Sequence, residues 1–270
     1  MGGRLKPPYL IQGDRRSAPL IPPTSWTAVR ALVTGSSRGI GAATARRLAA
    51  DGWELALHGF RHAPEAEALA RELARPGIDP WALVGDLADR SAVARLADRV
   101  LERWPVLDAL VLNGGSYPRA AFDDLDPDRF DACLRTNLTG PVELTRRLLP
   151  ALRAAPAGRI VVVTSILAFD GSRRGAHYAA AKAGLVGWAR SLARELAPSI
   201  RVNLVAPGPI DTDILAGDTP ELRAARERSV PLGRIGRPEE VAAAIAFLVS
   251  PESSFITGTT LHVNGGLRIE

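Results

Sequence analysis

Thr34-Gly35-Ser36-Ser37-Arg38-Gly39-Ile40-Gly41 follows a short apolar run, Ala31-Leu32-Val33, and opens a helical pattern from Ala42 to Asp51. A strand, a glycine turn and a helix in that order make a phosphate cradle, because the first amides of the helix point at the ligand. Gly35 permits the tight turn, Gly39 lets backbone approach a pyrophosphate, and Gly41 lets the helix pack closely on the strand. A lone glycine motif is a weak signal. The strand before it and the helix after it give this one its force.

The same alternation continues down the chain. Strands are expected at 54–58, 81–84, 108–112, 160–164, 200–205 and 259–263. Helices are expected at 64–75, 91–104, 127–153 and 238–249, with another running through Tyr178 to Ala197. Residues 213–230 read as a polar, mobile flap with a short helix. The strands are almost continuously apolar, the mark of a parallel sheet covered on both faces. The expected fold is α/β: a single Rossmann-type doubly wound domain over residues 28–270, with a parallel seven-stranded sheet flanked by helices on both faces. Residues 1–27 are rich in Pro and Arg and lack apolar periodicity, so they read as a flexible N-terminal extension. Arg15-Arg16 is followed by an apolar stretch too short and too broken by proline for a twin-arginine signal.

Composition narrows the function. The chain has 270 residues, 34 Lys+Arg against 29 Asp+Glu, and a net charge of +5. The arginines are spread along helices rather than clustered, which argues against a nucleic-acid partner. The single cysteine, Cys133, excludes a disulfide framework and a cysteine metal cluster, and suits the reducing cytoplasm. No metal site is expected, since His58, His62 and His262 lack ligand spacing. No apolar run approaches the ~20 residues that span a membrane.

Tyr178-Ala-Ala-Ala-Lys182 puts a phenol and an ammonium one helical turn apart. A nearby cation favours phenolate and lowers the tyrosine pKa, which suits acid–base work near neutrality. Both residues are scarce: lysine occurs only at 6 and 182, and tyrosine only at 9, 117 and 178. Tyr117 lacks a lysine partner and reads as a pocket wall or loop anchor. His177 reads as structural.

Dinucleotide folds that prefer NAD carry an acid at the end of the second strand. Here the chain reads His58-Gly59-Phe60-Arg61, and Arg38 and Arg61 are both placed to meet a 2′-phosphate. NADP(H) is therefore the expected cofactor, with NAD(H) as the alternative. Asp86 is placed either to bond an adenine amino group or to cap a helix. Asn113-Gly114-Gly115 forms a second small-residue approach to the cofactor.

These motifs, with Asn137, Ser165, Pro207-Gly208, Thr212 and His262-Val263-Asn264-Gly265-Gly266, resemble the short-chain dehydrogenase/reductase family over about residues 28–268. Ser165 stands thirteen residues before Tyr178, as that pattern requires. Residues 178–195 and 231–266 look most like 3-oxoacyl-(acyl-carrier-protein) reductases. One departure is Leu112-Asn113-Gly114-Gly115, where the family usually reads Asn-Asn-Ala-Gly; the extra glycine is expected to loosen that loop.

The resemblance implies a catalytic set of Asn137, Ser165, Tyr178 and Lys182. Ser165 and Tyr178 would bond the substrate carbonyl, and Tyr178 would deliver the proton. Lys182 would bond the nicotinamide ribose, Tyr178 would also contact the cofactor, and Asn137 would hold a relay water. It also implies that Ser37, Ile40, Leu87, Pro207 and Gly208 join the cradle, and that Ile210 and Thr212 hold the nicotinamide. The expected substrate is a 3-oxoacyl thioester, on acyl carrier protein or free, or a similar small ketone. The runner-up is a polyol, sugar or cyclic alcohol. A non-catalytic NADP-binding sensor or scaffold would be marked by loss of the tyrosine or lysine, and both are present. A homo-oligomer, in the family commonly a tetramer, is expected through helices 127–153 and 176–197 and the last strand.

Overall fold

The computed structural model describes residues 29–269; the proposed extension at 1–27 lies outside the described residues. Seven strands form one sheet in the order β3-β2-β1-β4-β5-β6-β7. They are β1 (Arg30–Val33), β2 (Glu54–Gly59), β3 (Trp81–Val84), β4 (Ala109–Leu112), β5 (Gly158–Val163), β6 (Ile200–Pro207) and β7 (Thr260–Val263). Every neighbouring pair is parallel.

Alternation along these strands sorts side chains to two cores. Leu32, Leu110, Ile160, Val162 and Val202 face helices α3 (Arg90–Arg103), α5 (Gly140–Ala154) and α7 (Ala176–Glu195). Val33, Leu55, Val111, Val161 and Val205 face α1 (Gly39–Ala50), α2 (Ala63–Leu73) and α9 (Pro238–Val249). Both faces are thus buried, which explains why the strands read as apolar runs rather than alternating ones. The strand order reverses between β1 and β4, so their carboxyl ends open a crevice where ligands of such sheets bind.

One segment departs from the sequence reading and another adds to it. The expected long helix 127–153 is α4 (Pro127–Leu134), a π-helical turn (Arg135–Thr139) and α5. Asp126 starts it by accepting from Arg129 N at 2.8 Å, with Pro127 in the first turn. The π turn marks an inserted residue in the helical ladder, a feature often found at functional sites, and Asn137 lies in it. The flap carries its expected short helix, α8 (Pro220–Ser229), capped by Thr219 Oγ1 on Leu222 N, and an additional 3₁₀ turn (Asp213–Leu215). Ion pairs hold it: Asp213 with Arg38 at 2.7 Å, Asp211 with Arg223 at 3.1 Å, and Asp218 with Arg119 at 3.1 Å. Short helical turns at Phe122–Asp124, at Leu167–Asp170 (α6) and at Pro251–Ser253 were not anticipated.

Candidate active site

A cleft of about 290 Å³ opens at the carboxyl ends of β1, β2, β3 and β4. Gly35, Ser37, Arg38, Gly39, Ile40, Arg61, Asp86, Leu87, Asn113, Gly114 and Thr212 all line it. The turn after β1 needs its glycines. Gly35 and Gly39 have φ of 64° and 55°, in the left-handed region where other residues are strained. A Cβ on Gly41 would stand 2.0 Å from Gly35 O. Backbone amides, small residues and two mouth arginines are what an anionic dinucleotide requires, so these residues fit such a cofactor.

Loop 113–116 is held to the end of β1 and the turn after it by hydrogen bonds. Asn113 Nδ2 donates to Thr34 O at 3.1 Å and Gly35 O at 3.0 Å, and Thr34 Oγ1 accepts from the amides of Asn113 and Gly114 at 2.9 Å each. Asn113 and Thr34 together supply these polar ties. Asp86 lines the cleft but is not the helix cap: its Oδ1 accepts from Ala88 N at 2.9 Å, whereas α3 is capped by Asp89, which accepts from Ser91 N at 2.8 Å. Arg38 points across the cleft mouth to Asp213.

His58 is the residue the sequence reading passed over. It is the penultimate residue of β2, is 3% exposed, and ties the turn after β1 to the exit of β3. Its Nδ1 accepts from Gly35 N at 3.2 Å, which leaves Nε2–H to donate to Gly85 O at 2.9 Å. Its backbone oxygen takes Ser36 N at 2.9 Å. The neutral imidazole thus sets the first amide of the phosphate turn. Burial pushes its pKa below the ordinary 6.5, opposed by Gly85 and Asp86. The unfolded chain therefore binds this proton first, and stability from this site falls as pH drops below 6.5. His58→Asn, which keeps an acceptor for Gly35, is expected to flatten the pH dependence of the urea midpoint between about pH 5 and pH 7. An unchanged slope would remove His58 as its source.

Behind the cleft's inner end, at Gly115, lies a polar cluster. A Cβ there would stand 2.5 Å from Asn137 Oδ1 and 3.8 Å from Lys182 Nζ, so only glycine lets the loop pass. Asn137 is fully buried and its side chain is spent on backbone: Nδ2 donates to Ser116 O and Cys133 O at 3.0 Å, and Oδ1 accepts from Ser116 N at 3.1 Å. Ser165, just past β5, faces the Tyr178 phenol and favours its ionised form. Lys182 is 4% exposed and donates to Val163 O at 2.9 Å.

The electrostatics differ from the expectation of a cation-lowered phenol. Burial pushes Tyr178 above its ordinary value, Tyr117 and Cys133 add to this, and only Ser165 opposes it. The ammonium is engaged by the Val163 carbonyl and sits 5.7 Å from the Tyr178 ring centre, so desolvation wins. Burial brings Lys182 itself down to about 8.

Not every expected residue reaches the cleft. The Ile210 side chain lines a separate cavity with Val230, Leu232 and Val263, and is 6% exposed. The following turn at Thr212 presents the cleft wall instead, with Cγ2 3.1 Å from where a Gly39 Cβ would be. Pro207 and Gly208 are structural neighbours: Pro207 O accepts from Ile166 N at 3.1 Å, and Gly208 N donates to Val263 O at 2.9 Å.

The chain carrying this cleft is similar to known proteins over most of its length. The profile of a family described as enoyl-(acyl carrier protein) reductase covers residues 35–268. A 3-oxoacyl-(acyl-carrier-protein) reductase of Aggregatibacter actinomycetemcomitans is 41% identical over 87% of this chain and 98% of its own. The chain belongs to the short-chain dehydrogenase/reductase family. A cis-4-hydroxycyclohexanecarboxylate dehydrogenase of Sinomonas cyclohexanicum is 42% identical over 87% of this chain and 95% of its own. Among solved structures, a short-chain dehydrogenase of Burkholderia cenocepacia in complex with NADP matches with TM-score 0.82 and 40% identity, over 88% of this chain and 97% of that one. This short-chain dehydrogenase/reductase is an NAD(P)-dependent oxidoreductase acting on carbonyl and alcohol groups. Among its described residues, no helix is long and apolar enough to cross a membrane, and no group of three or more His, Cys, Asp or Glu is placed to hold a metal ion.

Proposed function

We propose that the protein is an NADPH-dependent reductase that converts a 3-oxoacyl thioester or similar small ketone to a secondary alcohol. The observation that carries this reading is the placement of Lys182 one turn after Tyr178, with its Nζ 5.7 Å from the phenol ring centre and 3.8 Å from where a Cβ on Gly115 of the cleft wall would stand. When bound, the reduced nicotinamide supplies the hydride. Ser165 and Tyr178 hold the carbonyl oxygen, and Tyr178 gives it the proton. Lys182 holds a proton at neutral pH, as a group brought to about 8 does, and is the nearest cation from which the phenol is resupplied. Asn137 positions Ser116 and the loop beside it.

Arg38 and Arg61 at the mouth, with no acid at the end of β2, support NADPH over NADH. Replacing Arg61 by Ala is expected to weaken NADP binding roughly ten- to a hundredfold, the worth of about 1.5–3 kcal/mol for a hydrogen bond to a charged group, while sparing NAD. Titration of both cofactors into the wild type and Arg61→Ala checks this. Equal losses for the two would contradict it.

A second reading, oxidation of a compact cyclic alcohol, draws support from the Sinomonas relative and from Tyr117, whose ring lies 4.5 Å from that of Tyr178 and walls the phenol with a flat surface. NADPH turnover with an acetoacetyl thioester, beside NADP⁺ turnover with a hydroxycyclohexane carboxylate, separates the two. The thioester reading requires the higher kcat/KM for the thioester.

A further inference from the structure

Tyr117 is not used in the chemistry proposed above, yet it is the most elaborately held side chain near Tyr178. The two rings lie 4.5 Å apart, tilted by 41°. The Tyr117 hydroxyl pairs with Ser172 Oγ at 2.6 Å, and the ring fills the space that a side chain at Gly175 would need. Its neighbours are strapped to the start of α7. His177 Nε2 donates to Pro118 O at 2.8 Å, and Ala120 N donates to Arg174 O at 3.0 Å.

The outer side of this strap reaches the lid formed by 213–229. The Arg119 guanidinium lies 5.6 Å from the Tyr117 ring centre. It donates to Asp218 Oδ1 at 3.1 Å and to Ile214 O at 3.4 Å. The Asp218 side chain is 1% exposed and is also held by Arg226 of α8. Arg226 and then Arg119 keep this carboxylate below its ordinary pKa, so the link stays ionic across the working range. A carboxylate buried between two cations is strongly committed to them, because removing one partner leaves charge uncompensated.

We propose that Arg119 is a positioning residue that locks the 213–229 lid to the aromatic wall over Tyr178, so that lid closure and desolvation of the reacting phenol are one event. This rests on the reading of Tyr178 as the proton-transfer residue. The path runs from Arg226 through Asp218 and Arg119 to Tyr117 and Tyr178, with an observed contact at each step. The other groups that bear on the phenol are Ser165 at the end of β5, Cys133 on α4 and Lys182 on α7 itself. None of these belongs to the lid, so cutting the lid link leaves them in place.

The test is the pH–rate profile of alcohol oxidation with NADP⁺, the direction in which the phenolate is the base. In Asp218→Asn and Arg119→Gln the wall loosens and water reaches Tyr178. The limb governed by the phenol is expected to move to lower pH by about half to one unit, with a severalfold rise in KM. Arg119→Lys, which keeps the charge on Asp218, is expected to restore most of the wild-type profile. Tyr117→Leu is expected to reproduce the shift with the lid link intact. A fall in activity with an unmoved limb in both Asp218→Asn and Arg119→Gln would reduce Arg119 to a structural tie and overturn the proposal. Full activity in Tyr178→Phe would instead remove the reading beneath it.

Discussion

Tyr178→Phe is expected to lower kcat about 10²–10⁴-fold, the usual worth of a positioned acid–base group. The substitution removes one oxygen and keeps the ring, so the packing against Tyr117 at 4.5 Å survives. Tyr178 is not among the residues lining the cleft at the β1/β4 switch, so cofactor affinity is expected to hold. Ser165 Oγ keeps its bond from Leu167 N at 3.2 Å, so the end of β5 keeps its shape. A loss confined to kcat, with thermal midpoint and NADP binding preserved, is the signature of a missing proton rather than a damaged site. Steady-state kinetics beside a cofactor titration would show it. A fall in cofactor affinity of the same size as the fall in kcat would mean that Tyr178 holds the site together instead.

Gly41→Ala is expected to have the largest effect on the cradle. The added Cβ would stand 2.0 Å from Gly35 O, 2.7 Å from Gly35 C and 2.6 Å from Asn113 Nδ2. The first two are backbone atoms and cannot swing aside. Either α1 moves away from β1, or the turn gives up its shape and its two bonds from Asn113. Overpacking of this kind costs about 1–3 kcal/mol, and here the distortion falls on the amides aimed at the phosphates. The expected outcome is a lowered thermal midpoint and a much larger loss of NADP affinity. A variant that binds NADP as the wild type does would show that the helix can retreat without cost.

Much of this was legible because several independent patterns coincide. The glycine turn sits between a buried strand and a helix, and continuous apolar strands dictate a parallel sheet. Asn113, Asn137, Ser165, Tyr178 and Lys182 gather at or behind the carboxyl ends of β4 and β5, as the family resemblance implied. What was missed depends on three-dimensional neighbours. Nothing in the periodicity of residues 127–153 distinguishes a helix from one with a π turn at Asn137, because a single extra residue leaves the apolar stripe nearly intact. His58 looks like a stray polar residue until the register of β2 sets it beside Gly35 and Gly85. The direction of the Tyr178 shift turns on whether desolvation or the ammonium dominates, and that depends on Lys182 being engaged by Val163 O. The ion pairs that order the lid join residues far apart in the chain, such as Arg119 and Asp218, which no local pattern reveals. Ile210 turns away from the cleft because its side chain packs by Gly236, where a Cβ would stand 2.7 Å from Ile210 Cδ1.

The central claim is that the cradle and the Ser165–Tyr178–Lys182 cluster form one centre for hydride delivery to a carbonyl. NADPH deuterated on the transferable position, incubated with an acetoacetyl thioester and with a cyclic ketone, tests it most directly by mass spectrometry of the products. The account predicts deuterium on the former carbonyl carbon in the wild type and almost none with Tyr178→Phe. An alcohol formed without deuterium, or equal transfer by the variant, would contradict it.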